Sequence, residues 1–181
     1  MDKVQRNLPP IEQKGRGDTG IKRIHWHWTA GGHFPNAIDL AAYHFLIDRN
    51  GRVHHGKFPW QANVKIVGQN YAMHTARANT GAIGLALCGM AGARERPFSP
   101  GSSPLTELQV DTLVEFTALL CKEHAIHVTR KTVLSHAEVQ PTLGIAQKNK
   151  WDICWLPGMS GPGDPIKVGD ELRLRVMEAM R

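Results

Sequence analysis

The segment from Ile24 to Trp28 constrains the fold most strongly, because apolar and histidine side chains alternate along it as IHWHW. Successive side chains of a β-strand point to opposite faces, so His25 and His27 share one face while the isoleucine and the two tryptophans share the other. The pattern therefore predicts a strand over 24–28, which the glycine pair at 31–32 ends.

Three further segments carry helix signals. Asn36 can cap a short helix over 37–44, which places Tyr43 at a junction between helix and strand. The T-x-x-Q box that begins at Thr106 opens a longer helix that ends near residue 124, and 170–180 has the pattern of a final amphipathic helix. The predicted inner stripe of the long helix is apolar and consists of Leu108, Leu113, Phe116 and Leu120.

Strand and turn signals lie between these helices. The Asn-Gly pair at 50–51 predicts a hairpin, and the apolar runs at 82–89 and 132–134 predict buried strands. Strands mixed with a few helices predict a single α/β domain over 21–181 in which one sheet carries helices on its faces. Residues 1–20 are polar and interrupted by proline and glycine, and we expect a flexible N-terminal arm there.

Composition limits the partners and the compartment. The 22 Lys and Arg residues exceed the 16 Asp and Glu residues and give a net charge of +6, which favours an anionic partner such as nucleic acid, a membrane surface or a bacterial wall. No basic stripe interleaved with aromatic residues is present, so we expect no nucleic-acid partner. Neither a membrane span nor the apolar centre of a signal peptide is present, and we expect synthesis in the cytoplasm. The three cysteines are far apart and predict free thiols.

Candidate metal ligands occur in separate segments. His27 lies in IHWHWTAGG, His136 in LSHAEVQP and Asp152 in KNKWDI. Two imidazoles and a carboxylate are a common ligand set for catalytic zinc, whose fourth position stays open for water. His25 could be a ligand or could contact one. We interpret the histidines beside turns and at a helix end as solvated, namely His54, His55, His124 and His127.

Several motifs together resemble one family. HWTAG at His27, AYHFLIDRNG from Ala42, NTGAIGLALCG from Asn79 and SHAEVQP followed by KWD are similar to motifs of the type 2 zinc N-acetylmuramoyl-L-alanine amidases, which include phage lysozymes and peptidoglycan recognition proteins. The resemblance extends from about residue 21 to about residue 152. It implies a mixed sheet flanked by helices, with zinc in a surface cleft, and hydrolysis of the amide between N-acetylmuramic acid and L-alanine.

The resemblance also implies the metal ligands. His27 and His136 match the two histidine ligands, and Asp152 matches the third ligand. Some family members have a cysteine in the third place, which leaves Cys154 as an alternative. We favour Asp152, because Lys150 precedes it by two residues as the family's lysine does.

Other family positions suggest the remaining site residues. Lys150 would stabilise the negative charge that grows on the amide carbonyl oxygen. Tyr43 would position or deprotonate the attacking water, because the recycling enzymes' glutamate position is occupied by Ala86. His74 and Asn79 match residues near the substrate cleft and are predicted to bind substrate.

The biological role that we expect is that of a phage-type endolysin, a monomer that acts on the cell wall after release from the cytoplasm. A cytoplasmic muropeptide-recycling amidase and a non-catalytic peptidoglycan-binding protein of the same fold are the alternatives. Retention of all three ligands and of Tyr43 argues against the binding protein.

Overall fold

A five-stranded sheet forms the centre of the structure, a computed structural model that describes residues 18–181. The strands are β1 (Arg23–Trp28), β2 (Phe45–Ile47), β3 (Val53–His55), β4 (Ala82–Leu87) and β5 (Val133–Ser135). The helices of the described residues are α1 (Ala37–Ala42), α2 (Glu107–Glu123), α3 (His136–Leu143) and α4 (Pro165–Ala179), with a short 3-10 helix at Trp60–Asn63. Most of the predicted arm, residues 1–17, lies outside the described residues.

The sheet is mixed. Its strand order is β3-β2-β4-β1-β5, in which β2, β4, β1 and β5 pair in parallel and β3 is antiparallel to β2. The predicted hairpin joins β2 to β3, and Gly51 adopts a φ of 73° in its turn, a conformation that glycine tolerates best. The predicted single α/β domain with helices around a mixed sheet is confirmed.

The two faces of the sheet differ in polarity, as the alternation in β1 predicts. The isoleucine and tryptophans of β1 belong to a core that α2 and α4 cover from one side, through residues such as Phe116 and Leu172. On the other face, the His74 ring packs against His25 and His27 and belongs to the long loop between β3 and β4. The apolar side chains of β1 therefore lie in the hydrophobic core, and its histidines lie on the face that the polar loop covers.

Helix α2 begins where the sequence predicts, but its inner stripe is shifted. Thr106 Oγ1 accepts a hydrogen bond from the Gln109 backbone N–H at 3.2 Å, and Gln109 Oε1 accepts from the Thr106 N–H at 3.1 Å. The prediction for Leu108 is wrong, since 39% of this residue is exposed. Gln109 is buried instead, because its amide donates to the carbonyls of Ile47 and Cys88 at 3.0 and 2.8 Å.

Helix α3 is absent from the sequence prediction, and α4 is longer than predicted. Strand β5 leads directly into α3, whose start is held by the Ser135 N–H donating to Glu138 Oε2 at 2.8 Å. The S-x-x-E spacing of these residues is a helix signal that the sequence analysis did not use. Helix α4 begins earlier than residue 170, because Asp164 caps it and accepts from the Lys167 N–H at 3.0 Å.

Burial corrects the prediction for His124 and supports the one for the cysteines. His124 is only 4% exposed. Its Nδ1 lies 2.8 Å from Thr19 Oγ1, and its ring meets Trp60 edge to face at 4.7 Å. The free thiols are confirmed, and all are buried, at Cys88, Cys121 and Cys154.

Within residues 18–181, no helix combines the length and the apolar character that a membrane crossing requires.

Candidate active site

Strand register brings two of the predicted ligands together. In the parallel pair of β1 and β5, Trp26 lies opposite Ser135. His27 and His136 each follow by one residue, so both lie at the carboxyl ends of adjacent parallel strands, where open α/β sheets place their ligands. Their ring centroids are 4.8 Å apart, and both residues are buried.

Asp152 reaches these histidines from the segment after α3. Its backbone carbonyl accepts a hydrogen bond from the Ala137 N–H at 2.9 Å, which fixes this segment against the first turn of α3. Its Oδ2 atom lies 3.2 Å from His27 Nδ1 and 3.4 Å from His136 Nδ1. The three predicted ligands therefore converge, although they come from separate parts of the chain.

The two donor spacings measured from Asp152 fit a tetrahedral zinc ion. Zinc bonds of about 2.0–2.2 Å at tetrahedral angles place neighbouring donor atoms roughly 3.3–3.6 Å apart. The distances from Asp152 Oδ2 to the two Nδ1 atoms, 3.2 and 3.4 Å, are close to this spacing. His27, His136 and Asp152 form a buried group that could hold a metal ion.

Electrostatics favour the protonation states that a metal requires. Burial lowers the pKa of His27 to about 4, although Asp152 partly opposes the shift. Burial alone would raise the pKa of Asp152, but the His136 and His27 rings that its carboxylate faces hold it well below its usual range. At neutral pH the His27 ring is therefore neutral and Asp152 is ionised, which are the states in which these groups bind metals.

Tyr43 lies beside the ligand group. It ends α1, and its ring centroid is 5.1 Å from that of His27. Its hydroxyl donates a long hydrogen bond of 3.5 Å to the Trp28 carbonyl. Burial raises the pKa of Tyr43 well above its usual range, so the phenol keeps its proton at neutral pH.

A cleft of about 330 Å³ opens above the ligand group. Lys150 is exposed and lines this cleft together with Tyr43, His74, His136 and Asp152. The other residues that line the cleft are Trp28, Thr29, Ala30, Met73, Asn149 and Trp151. Both predicted catalytic residues thus share one cleft with two of the predicted metal ligands, His136 and Asp152.

The predicted substrate-binding residues are placed differently from each other. His74 is buried and lines the cleft, with its ring centroid 5.3 Å from that of His27. Asn79 is buried, and its Oδ1 accepts from the backbone N–H groups of His74 and Thr75 at 3.2 and 2.8 Å. Asn79 thus holds the loop that carries His74 and is not among the cleft-lining residues.

Ala86 lies beside the candidate site, whereas Cys154 lies outside the group that contains Asp152. Ala86 pairs with His27 across β4 and β1 and is completely buried. Cys154 belongs to neither group of described residues that could hold a metal. Instead it lines a neighbouring cleft, and burial raises its thiol pKa to about 12.

Polar residues that no sequence motif indicated contact the side of the two histidine rings that faces away from Asp152. Gln147 Oε1 lies 2.9 Å from His136 Nε2. Thr75 Oγ1 lies 3.4 Å from His27 Nε2 and 3.0 Å from His25 Nδ1. The position of His25 on the same face as His27 was the one sequence signal for this arrangement.

Fold and site together define an α/β protein with a candidate metal centre at the carboxyl edge of a mixed sheet. The family model described as N-acetylmuramoyl-L-alanine amidase matches residues 17–159, which is most of the chain. The chain therefore belongs to this amidase family, as its motifs predict.

Solved structures of similar fold include amidases. LysC, an N-acetylmuramoyl-L-alanine amidase from Clostridium intestinale, is 15% identical over 88% of this chain and 88% of its own, with a TM-score of 0.50. AmiD, an N-acetylmuramyl-L-alanine amidase from E. coli in complex with its substrate, is 20% identical over 75% of this chain and 56% of its own, with a TM-score of 0.47. No curated protein matches the sequence significantly.

Proposed function

We propose that this protein is a zinc-dependent amidase that hydrolyses the bond between N-acetylmuramic acid and L-alanine in peptidoglycan. The convergence of His27, His136 and Asp152 carries the proposal, since this buried group could hold a metal ion. Membership of the amidase family supports the choice of bond. Zinc, when bound, supplies Lewis acidity and activates a water for attack on the amide.

Lys150 and Tyr43 would act on the reacting amide. As water attacks, negative charge grows on the carbonyl oxygen, and a cation beside it stabilises the transition state more than the ground state. Lys150 supports this role because its exposed side chain lines the cleft. Tyr43 lies beside His27 and offers a hydroxyl that would hold the attacking water in place.

The cleft also offers aromatic surface for the glycan. Trp28 and Trp151 line it and meet edge to face with centroids 4.6 Å apart. Trp151 is partly exposed, so it could present its apolar surface to a sugar ring. His74, which lines the same cleft, is proposed to contact substrate at its margin, with Asn79 supporting its loop.

We further propose that the protein is a monomeric, phage-type endolysin that acts on the wall after release from the cytoplasm. The net charge of +6 supports attraction to an anionic wall. Ala86 supports this branch over the muropeptide-recycling enzymes, because those enzymes carry a glutamate at the position that Ala86 occupies here.

Product analysis tests the reaction. Purified protein is incubated with peptidoglycan, with and without a chelator, and the products are identified by mass spectrometry. We expect free stem peptides beginning with L-alanine, lost on chelation and restored by zinc. Cleavage between sugars or between amino acids would refute the proposed bond, and binding without any cleavage would indicate a recognition protein.

A pair of variants tests the third ligand. Asp152→Asn should lower zinc content and activity by more than the roughly 10- to 100-fold that losing a hydrogen-bond partner of a ligand costs, because it removes a charged ligand that both histidines face. Cys154→Ser is the matched control, and it should retain both properties. Loss of zinc in the serine variant alone would transfer the ligand role to Cys154.

Substrate size tests the endolysin role. An endolysin should release peptides from intact sacculi and lyse cells when a holin is co-expressed. Activity on soluble muropeptides combined with none on intact sacculi would identify a recycling enzyme instead.

A further inference from the structure

The far side of the His27 ring faces hydrogen-bond acceptors from one loop. Its Nε2 lies 3.3 Å from His74 Nδ1 and 3.4 Å from Thr75 Oγ1. Its Nδ1, on the opposite side of the ring, faces Asp152. A neutral imidazole carries one proton, and its position decides which nitrogen can bind a metal.

The protonation of His74 follows from its other contacts. His74 Nε2 lies 3.4 Å from the Ala82 carbonyl oxygen, which can only accept a hydrogen bond. The proton of neutral His74 therefore belongs on Nε2, and its Nδ1 is an acceptor. The Thr75 hydroxyl, 2.9 Å from that Nδ1, can donate to it and at the same time accept from His25 Nδ1 at 3.0 Å.

Two acceptors therefore compete for the proton of His27 when no metal is bound. The Asp152 carboxylate favours a proton on Nδ1, which would block the nitrogen that faces the other ligands. Thr75 Oγ1, whose own proton goes to His74 Nδ1, favours a proton on Nε2, which leaves the Nδ1 lone pair of His27 free. The loop opposes the tautomer that cannot bind metal.

His136 is held in the same way. Its Nδ1 faces Asp152 at 3.4 Å, and its Nε2 lies 2.9 Å from Gln147 Oε1. The Gln147 amide in turn donates to the Ala76 carbonyl at 2.8 Å, which fixes Oε1 as the atom that faces the ring. A glutamine oxygen only accepts, so the His136 proton belongs on Nε2 as well.

Residues 74–76 support both contacts, because His74 and Thr75 lie at the His27 ring and the Ala76 carbonyl holds the Gln147 amide. His74 packs close to the sheet because Gly84 has no side chain: a Cβ there would lie 2.5 Å from His74 Cγ. Gly84 pairs with His25 in the sheet, so the loop lies directly over the histidine face of β1.

We propose that His74, Thr75 and Gln147 are positioning residues that select the tautomers in which His27 and His136 present Nδ1 to a metal. This role deepens the proposed zinc function and rests on it. Partners of this kind orient metal-bound imidazoles, and their loss typically lowers metal affinity about 10- to 100-fold.

Matched substitutions separate hydrogen bonding from packing. His74→Leu removes the ring nitrogen that accepts from the Thr75 hydroxyl, whereas His74→Asn places an amide oxygen near the position of that nitrogen. Gln147→Met and Gln147→Glu form the same kind of pair at the half-buried Gln147, where folding is least at risk. Thr75→Val removes the hydroxyl at nearly constant volume, and Thr75→Ser retains it with one methyl group fewer.

Zinc affinity is measured by competition with a chromophoric chelator, and histidine tautomers by ¹⁵N NMR of the metal-free protein. We expect His74→Leu and Gln147→Met to bind zinc about 10- to 100-fold more weakly, and His74→Asn and Gln147→Glu to recover most of the loss. In His74→Leu, the His27 proton should move from Nε2 to Nδ1.

The inference is overturned if a folded Gln147→Met variant binds zinc as tightly as the wild type and Thr75→Val leaves the histidine tautomers unchanged. This holds even if His74→Leu does not fold. If the wild type is active and binds zinc, those two results leave the amidase proposal intact. A wild type that binds no zinc would refute the zinc function, and a metal-free His27 protonated on Nδ1 would refute the tautomer selection separately.

Discussion

A buried ion pair between α3 and α4 gives the sharpest stability prediction. Arg173 is 3% exposed and donates to Glu138 Oε1 at 2.8 Å, while Glu138 is completely buried. Arg173 also donates to the Val133 carbonyl at 2.9 Å. Gly169 permits the approach, since a Cβ there would lie within 2.5 Å of the Glu138 carboxylate carbon. Arg173→Met would therefore leave a charge and a carbonyl buried without this partner.

The expected cost follows from this burial. Removing one partner of a buried ion pair costs about 3–5 kcal/mol of unfolding free energy. For a chain of this size that corresponds to a fall in melting temperature of roughly 6–20 °C. Replacing both charges with Arg173→Met and Glu138→Gln should cost less than Arg173→Met alone, because no charge remains buried.

Arg130→Met is the matched control. Arg130 pairs with Asp170 at 2.6 Å, and Asp170 also accepts from Arg173 at 2.8 Å, but the Arg130 side chain is 60% exposed. Such surface pairs contribute below about 1 kcal/mol. Urea unfolding followed by circular dichroism measures all variants. Equal losses for Arg173→Met and Arg130→Met, or a double variant no more stable than Arg173→Met, would refute the reasoning.

Three further predictions concern the site, the loop and acid stability. Lys150→Met should lower kcat about 10²- to 10³-fold at unchanged zinc content, whereas Lys148→Met should retain activity; equal effects of the two would remove Lys150 from the mechanism. Gly84→Ala should cost about 1–3 kcal/mol in urea unfolding and weaken zinc binding, because the new Cβ would overlap His74; wild-type values would show that the loop gives way freely. Burial lowers the pKa of His124 from 6.5 to about 4, so the unfolded chain binds this proton first and stability should fall as pH drops from about 6.5 to about 4. His124→Phe should lose less stability over that interval, by up to about 3 kcal/mol, and an identical pH profile would contradict this assignment.

Local patterns determined the elements that depend on neighbouring residues. The alternation in β1, the hairpin glycine Gly51 and the capping box at Thr106 each act within a few residues, so the sequence alone identified them. The same holds for family motifs, which identified His27 and the other candidate ligands before any geometry was known.

Tertiary structure decided how these elements meet. The register between β1 and β5 places His27 beside His136, and no local period contains that pairing. Leu108 is exposed because the Gln109 amide binds carbonyls at the ends of two distant strands. The contacts that Thr75 and Gln147 make with the histidine rings likewise join residues far apart in the chain. Sequence therefore determined which groups are available for chemistry, whereas long-range packing determined which nitrogen of each imidazole faces Asp152.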